Sequence, residues 1–227
     1  MYINILLLLN LHLTKTKSTV NLIKLHSRYR HFMKTSKTDR RIIRSKTLLK
    51  NALRELMGRK GFKYITVKEI SDISTINRAT FYKHYFDVDA LLVAVFQEDF
   101  HRLLDDHTTG MKVVNKEFIS QTILAVSDFL LPMRHAYFDS HHTFMALAQK
   151  TIQEMLFDRF ISDMEVNRKK QDTLLNIRLK AAMTSCAIHV AVGQWIELSI
   201  EKKLERKEVP VEALLEKVLG PITGLIK

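Results

Sequence analysis

The chain has 227 residues, 46% hydrophobic and 26% charged, which is ordinary globular composition and enough to bury a core. Its 6 glycines and 3 prolines are too few for a β-sandwich or barrel, so a mostly helical protein is expected. The one cysteine, Cys186, excludes an intramolecular disulfide and a cysteine zinc site, and it fits the reducing cytoplasm.

The net charge is +12, and the first third of the chain carries the excess. Residues 1–84 hold 19 Lys and Arg against 4 Asp and Glu, a balance of +15, whereas residues 85–227 hold 17 against 20, a balance of −3. This asymmetry indicates a polyanionic partner, either nucleic acid or an anionic membrane surface, although a solvated basic tail would show the same charge.

The N-terminal sequence MYINILLLLNLHL differs from a signal peptide, because it has no positively charged start and no small-residue cleavage site follows it. Its apolar run is shorter than the ~20 residues that a membrane-spanning helix needs, so no stable membrane insertion is expected. Three interpretations remain: a membrane-surface anchor, a disordered extension, or a translation start placed too early, with Met33 as the alternative. We expect residues 1–36 to form a basic extension outside the folded domains, since residues 14–38 are polar and aperiodic.

The first predicted helix begins near Asp39, a plausible N-cap, and Gly61 is expected to end it in the left-handed conformation. An apolar stripe at helical spacing comprises Ile42, Leu49, Ala52, Leu53 and Leu56. The opposite face is strongly basic and comprises Arg40, Arg41, Arg44, Lys46, Lys50 and Arg54.

Two short helices are predicted next. Thr66 and Glu69 have the spacing of a capping box at the start of one helix, and Ile70 would face the interior. Residues 74–77 separate this helix from a second one that runs to His84. A basic helix followed by two short helices around a tight turn is the arrangement of a helix-turn-helix.

The second short helix, within STINRATFYKHYFD, has the features of a recognition helix, with Phe81 expected to face the core. Arg78 can pair with a guanine through two hydrogen bonds, and Ala79 is small enough to contact a thymine methyl. Tyr82 and His84 are expected at phosphates, although Tyr82 could instead pack on the first helix and His84 could act as a cap. The other side chains expected to face DNA are Thr80 and Lys83.

The stretch TVKEISDISTINRATFYKHYFDVDALL resembles the N-terminal DNA-binding domain of the TetR family of bacterial transcriptional regulators. DRRIIRSK and INRATFYKHY are similar to the subgroup of the dihydroxyacetone kinase regulator. The resemblance covers about residues 37–95. It implies an all-α homodimer with a three-helix DNA-binding domain at residues 37–86 and a helical effector-binding and dimerisation domain at residues 87–227.

The resemblance also implies which residues contact DNA: Arg40, Arg41, Arg44, Thr66, Asn77, Arg78, Ala79, Thr80, Tyr82 and His84. Two positions depart from the family's pattern. Ser74-Thr75 stands where many members have Ala-Gly, and Val88 stands where many have a phosphate-binding Lys. Asp87 and Asp89 beside Val88 suit the helix dipole but repel phosphate, so the DNA affinity could be weaker than usual unless the basic arm compensates.

The rest of the chain predicts long helices. They span residues 88–107, residues 115 to a stop or kink near Pro132, residues 141–168, residues 172–200, and Pro210 to a break or kink at Pro221.

The segment AAMTSCAIHVAVGQW at residues 181–195 is small and apolar, so it is either a buried core helix or a helix that packs against its twin. The resemblance favours the second alternative, in which this helix packs against the same helix of a second copy of the chain. The residues predicted at the dimer interface are Cys186, His189, Val190, Trp195, Leu215 and Val218, and Trp195 would suit the core of one chain equally well.

The resemblance implies an effector pocket between the C-terminal helices, although each of the residues that could line it is more simply explained as an ordinary core residue. These residues are Phe100, Phe129, Phe138, Phe144, Met145 and Phe157. His101 and Asp105 could share a metal-binding face, but isolated pairs of this kind are usually solvated, so neither metal nor cofactor is predicted. The sequence shows no phosphate-binding loop, nucleophile elbow or catalytic constellation, so an enzyme is not expected.

The sequence therefore predicts a cytoplasmic, homodimeric, DNA-binding transcriptional regulator, expected to be a repressor, that a small-molecule effector releases from a pseudo-palindromic operator in double-stranded DNA. One alternative is a co-activator or adaptor of the same fold that acts through protein contacts. Another is a helical protein that uses its basic N-terminus on a membrane surface.

Overall fold

The computed structural model describes residues 40–136, 142–168, 172–204 and 210–226. Within these ranges the chain forms eight α-helices and one short 3-10 helix and has no strand, which confirms the all-α fold class. None of the helices in the described ranges is both long and apolar enough to cross a lipid bilayer. The helices are α1 (Arg40–Arg59), α2 (Val67–Ser74), α3 (Arg78–His84), α4 (Val88–His107), α5 (Lys116–Ala136), α6 (His142–Val166), α7 (Leu174–Leu204) and α8 (Val211–Gly224), and the 3-10 helix is Phe62–Tyr64.

The chain divides into two compact units, residues 1–47 and residues 48–227. In the first unit, the described residues 40–47 form the opening turns of α1. Ile42 lies in the first turn and is 38% exposed, so the buried part of the apolar stripe does not include it. The buried positions of α1 begin at Leu49.

In the second unit, the predicted apolar faces of the first three helices are confirmed. Ile70 of α2 and Phe81 of α3 are completely buried. Each helix therefore turns one apolar face inward, as its periodicity predicted. The buried side chains of α1 are Leu49, Ala52, Leu53 and Leu56.

The end of α1 differs from the prediction. Gly61 has φ −61° and ψ 141°, an extended conformation rather than a left-handed one, and it precedes the 3-10 helix Phe62–Tyr64 as its N-cap. The ammonium group of Lys60 donates to the carbonyl oxygen of Tyr64 at 2.6 Å across this turn. Because the chain passes from α1 into a second helical turn, no left-handed cap is needed at Gly61.

The C-terminal helices pack around aromatic residues. α7 packs along α6, α4 packs against α5 and α6, and α8 packs against α5 and α7. Phe96 and Phe100 of α4 meet Phe129 of α5 edge to face, with ring centroids 6.0 and 5.3 Å apart. α5 and α8 continue past Pro132 and Pro221, so neither proline ends its helix.

Candidate nucleic-acid interface

The predicted capping box holds the N-terminus of α2. Thr66 Oγ1 accepts from the backbone N–H of Glu69 at 3.3 Å, and the Glu69 carboxylate accepts from the backbone N–H of Thr66 at 3.0 Å. Lys60, directly after α1, pairs with the other oxygen of Glu69 at 2.6 Å. The hydrogen bonds from Lys60 and then from Thr66 lower the pKa of Glu69 to about 2. Glu69 is therefore ionised at neutral pH and ties α2 to the end of α1.

The hydroxyl of Thr66 is already used within the protein. Its oxygen lies 2.8 Å from Glu69 Oε2, and an ionised carboxylate can only accept, so the hydroxyl donates its one proton there. A phosphate oxygen also only accepts. The phosphate contact predicted for Thr66 therefore requires this internal hydrogen bond to break or to be shared.

The turn between α2 and α3 contains a residue in an unfavourable backbone conformation. Thr75 has φ 56° and ψ 23°, the left-handed region, which β-branched residues rarely adopt. Its backbone N–H donates to the carbonyl of Ser71 and so caps α2. The next N–H, of Ile76, donates to Ser74 Oγ at 3.3 Å. This geometry turns the chain into α3 at the cost of strain at Thr75.

α3 is capped at its start and anchored by one ring. Asn77 Oδ1 accepts from the backbone N–H of Ala79 at 2.8 Å, so Asn77, predicted beside DNA, is also the N-cap. Phe81 is fully buried, and its ring centroid lies 5.4 Å from that of Tyr82 and 6.0 Å from that of Tyr85. Because Phe81 fixes the inward face, the opposite face of α3 points to solvent.

The outward face of α3 is basic and aromatic. Arg78 and Lys83 are exposed, and neither side chain has an ionic or hydrogen-bonded partner among the described residues. Tyr82 is 57% exposed. Cationic groups beside an exposed ring with a hydroxyl are suited to phosphates and base edges. The other predicted contacts on α3 are Ala79, which is exposed, and Thr80 and His84, which are half-buried.

The basic face predicted for α1 divides into two sets. The three arginines in residues 40–47 are exposed. Lys50 and Arg54 are instead paired with carboxylates of α4, 44 to 48 residues further along the chain. Helical periodicity placed these two residues correctly on the polar face, but it carries no information about partners so distant in sequence. The exposed arginines are Arg40, Arg41 and Arg44.

The aromatic residues predicted to line an effector pocket pack closely where they are described. Phe100 is fully buried and Phe129 is 8% exposed. Phe157 is half-buried, and the guanidinium of Arg178 lies 5.8 Å from its ring centroid. Phe138 and the side chains of Phe144 and Met145 lie outside the described residues.

A surface cleft on α4 is charged rather than aromatic. His101 Nδ1 lies 2.8 Å from Asp105 Oδ2, so the pair considered for metal binding is held together by a direct contact. Within the described ranges, no group of three or more His, Cys, Asp or Glu side chains is placed to hold a metal ion. The cleft is lined by Gln97, Glu98, His101, Arg102, Asp105 and Asp106.

α7 exposes a row of apolar side chains along one face. Leu175, Leu179, Met183 and Val190 are 59, 49, 52 and 52% exposed, and Cys186 is exposed among them. Spacings of three, four and seven residues place them on the same side of a helix. The sequence prediction included Cys186 and Val190 but overlooked the other three, although their four-residue repeat was visible. We call these five residues the α7 row.

The other predicted interface residues are more covered. Trp195 is only 8% exposed, so its own chain already covers most of the indole. Burial lowers the pKa of His189, which favours a neutral imidazole. On α8, Leu215 and Val218 are half-buried.

Comparison with known proteins gives one curated relative, and no family model matches the sequence. Over 76 residues the chain is 33% identical to a protein of Bacillus subtilis (strain 168), the uncharacterized HTH-type transcriptional regulator YxbF. The match covers 33% of this chain and 20% of that protein, so the chain spans about a fifth of the length of this relative.

Three solved structures resemble the chain at low identity. RolR in complex with resorcinol is 17% identical, with a TM-score of 0.46 over 78% of this chain and 93% of RolR. FadR from Bacillus subtilis in complex with stearoyl-CoA is 16% identical, with a TM-score of 0.45 over 80% of this chain and 99% of that FadR. FadR from Bacillus halodurans is 15% identical, with a TM-score of 0.41 over 83% of this chain and 97% of that FadR. All three TM-scores are below 0.5, so these similarities establish neither a shared fold nor a shared function.

Proposed function

We propose that this protein is a sequence-specific, DNA-binding transcriptional regulator of the TetR type, resembling the subgroup of the dihydroxyacetone kinase regulator. The proposal rests on the two faces of α3. This seven-residue helix buries Phe81 on one face and exposes Arg78, Tyr82 and Lys83 on the other. The curated relative from Bacillus subtilis, an HTH-type transcriptional regulator, supports the same function. The protein acts by binding and not by catalysis.

In this proposal residues 37–86 form the DNA-binding domain, and α3 enters the major groove of double-stranded DNA. Arg78 pairs with a guanine, while Asn77, Ala79 and Thr80 lie near base edges. The excess positive charge of residues 1–84 attracts the phosphates and accelerates association. The phosphate contacts are Tyr82, Lys83 and His84 of α3, together with Arg40, Arg41 and Arg44.

Residues 87–227 form the effector-binding and dimerisation domain. Two copies of α7 pack through the α7 row, with Leu215 and Val218 of α8 beside it. Complete burial of a Leu, Met or Val side chain contributes about 1.5–3 kcal/mol. Covering this half-exposed row with a second copy would therefore stabilise the dimer. A twofold axis then places two copies of α3 about 34–36 Å apart, as a pseudo-palindromic operator requires.

Regulation follows from a shift between two conformations of the dimer. A small-molecule effector held among α4 to α7 favours a conformation in which the two recognition helices no longer fit successive major grooves. The effector therefore releases the DNA, and the protein acts as a repressor.

The test is a fluorescence anisotropy titration of the full chain with DNA from the flank of its own gene and with scrambled DNA of the same length. We expect a preference for the flanking DNA, together with a steep fall of affinity as the salt concentration rises. Equal, weak binding to both DNAs would refute sequence-specific binding and would favour a second function, an adaptor that acts through protein contacts.

The adaptor is favoured by one feature at the start of α4. Asp87 Oδ1 accepts from the backbone N–H of Ala90 at 2.7 Å, and Asp89 follows in the first turn. Two carboxylates at a helix N-terminus stabilise the helix but repel a phosphate. A regulator that binds DNA must compensate for this repulsion elsewhere, whereas an adaptor need not.

A further inference from the structure

Four charged residues join α1 to α4. Lys50 Nζ lies 2.6 Å from Glu98 Oε1, and Arg54 Nη2 lies 2.6 Å from Glu98 Oε2. Arg54 also donates two hydrogen bonds to Asp99, from Nη2 at 2.7 Å and from Nε at 3.2 Å. Each charge in this group faces an opposite charge. We call these four residues the α1–α4 bridge.

The bridge is partly shielded from water. The side chains of Lys50, Asp99 and Arg54 are 15, 24 and 32% exposed, whereas that of Glu98 is 45% exposed. A two-point pair between arginine and a carboxylate in such a place is stronger than an exposed ion pair, because water screens it less. Burial disfavours the charged form of Glu98, yet the hydrogen bonds from Arg54 and Lys50 hold its pKa below the ordinary value. Glu98 is therefore ionised at neutral pH and keeps both partners.

The bridge lies between the two parts of the proposed regulator. The pairing of Lys60 with Glu69 at 2.6 Å fixes the far end of α1 to α2. Only three residues, 85–87, lie between the end of α3 and the start of α4, so a short linker joins α4 to the recognition helix. With the bridge in place, α1, α2, α3 and α4 form a closed loop of attachments. A rotation of α3 relative to α4 would be transmitted through this loop to the bridge.

We propose that Lys50 and Arg54 are positioning residues, which affect DNA binding by fixing the orientation of α3 on α4 and not by touching phosphate. A phosphate contact needs a cation whose charge is available, whereas the charges of Lys50 and Arg54 are already compensated by Glu98 and Asp99. The inference rests on the proposed function, since the orientation of α3 in a dimer decides which distance between half-sites fits.

The test compares inverted repeats that differ only in the spacer between half-sites, with half-sites selected from random DNA. The wild-type full chain is expected to prefer one spacer over spacers one or two base pairs longer or shorter. Lys50→Glu and Glu98→Lys should each weaken binding at that spacer about tenfold and reduce the difference between spacers. The double variant pairs positions 50 and 98 again with reversed charges but leaves Arg54 facing a lysine, so it should recover part of both properties. A phosphate contact could not be restored in this way, because the Lys50→Glu carboxylate would still repel phosphate.

Arg59→Glu is the matched control. Arg59 pairs with Glu55 on α1 itself, so its reversal should leave the spacer preference unchanged. Arg54→Gln is the milder variant if charge reversal prevents folding, which thermal melting would show. It should reduce the spacer preference without changing the slope of log affinity against log salt, whereas loss of a phosphate contact would lower that slope by about one.

Three outcomes would overturn the inference alone: a wild type that binds half-sites but tolerates every spacer, single variants that keep the wild-type preference, or a double variant as weak as Lys50→Glu. A wild type that cannot distinguish inverted repeats from scrambled DNA would instead overturn the proposed function, and the inference would fall with it.

Discussion

α3 and α7 both expose large side chains to solvent, but the two surfaces differ in chemistry. α3 exposes Arg78, Tyr82 and Lys83, each of which can form hydrogen bonds. α7 exposes Leu175, Leu179 and the other side chains of the α7 row, which follow one another every three or four residues. Charged groups without partners suit a polyanion, whereas an apolar row suits another protein surface. Exposure alone therefore does not identify a partner, whereas the chemistry of the exposed face does.

The largest effect is expected from a charge on the apolar surface. Met183→Asp places a carboxylate in the middle of the α7 row, where dimerisation would bury it without a partner. Removing such a charge from water costs several kcal/mol, and each 1.4 kcal/mol is a factor of ten, so the dimer should weaken by more than about 100-fold. Sedimentation velocity would measure the dissociation. Ser162→Asp, on the exposed side of α6, should leave the dimer intact. A Met183→Asp dimer as stable as the wild type would contradict the role given to α7.

The next effect concerns sequence preference at α3. Arg78→Ala should cost about 1–3 kcal/mol of DNA binding and relax the preference at one operator position, because a two-point contact with a base is lost. Lys83→Ala should weaken binding to all sequences alike and lower the salt slope by about one. Titrations against operators with single base changes separate the two. If Arg78→Ala kept both affinity and preference, α3 would not be the recognition helix. Neither variant should change the stability of the dimer, because Arg78 and Lys83 lie on α3 and not in the α7 row.

A smaller effect is expected at the turn that places α3. Thr75→Gly should stabilise the protein by up to about 1 kcal/mol, because the left-handed conformation costs a side-chain-bearing residue about 1–2 kcal/mol and glycine's greater freedom when unfolded offsets part of the gain. Urea denaturation measures the change. Thr75→Ala retains a Cβ and should gain much less, so equal effects of the two substitutions would show that backbone strain is not the cause.

The smallest effect is a pH dependence at the start of α2. Because the folded-state pKa of Glu69 is lowered from 4.5 to about 2, its carboxylate stabilises the folded state above pH 4.5, and this contribution fades as the pH falls from 4.5 towards 2. Glu69→Gln should therefore melt at a lower temperature than the wild type at pH 7, and the difference should shrink as the pH approaches 2. A difference independent of pH would mean that the lost charge is not responsible.

Local patterns predicted the helix-turn-helix well. Thr66 and Glu69 are three residues apart, and their mutual hydrogen bonds depend on little else. Helical periodicity likewise predicted that Phe81 is buried. What could not be predicted depends on distant partners or on the exact path of the chain. The pairing of Lys50 with Glu98 spans 48 residues, and the extended conformation of Gly61 depends on the 3-10 helix that follows it. Trp195 remained undecided in sequence because small apolar neighbours suit a core and an interface equally.

One measurement tests both surfaces together: selection of bound sequences from a random pool of double-stranded DNA by the full chain. A twofold dimer with α3 in the major groove should enrich an inverted repeat whose half-sites are about one helical turn apart, centre to centre. Recovery of no enriched sequence, or of a single motif without its inverted copy, would contradict the account of α3 as a sequence-reading helix that α7 presents in pairs.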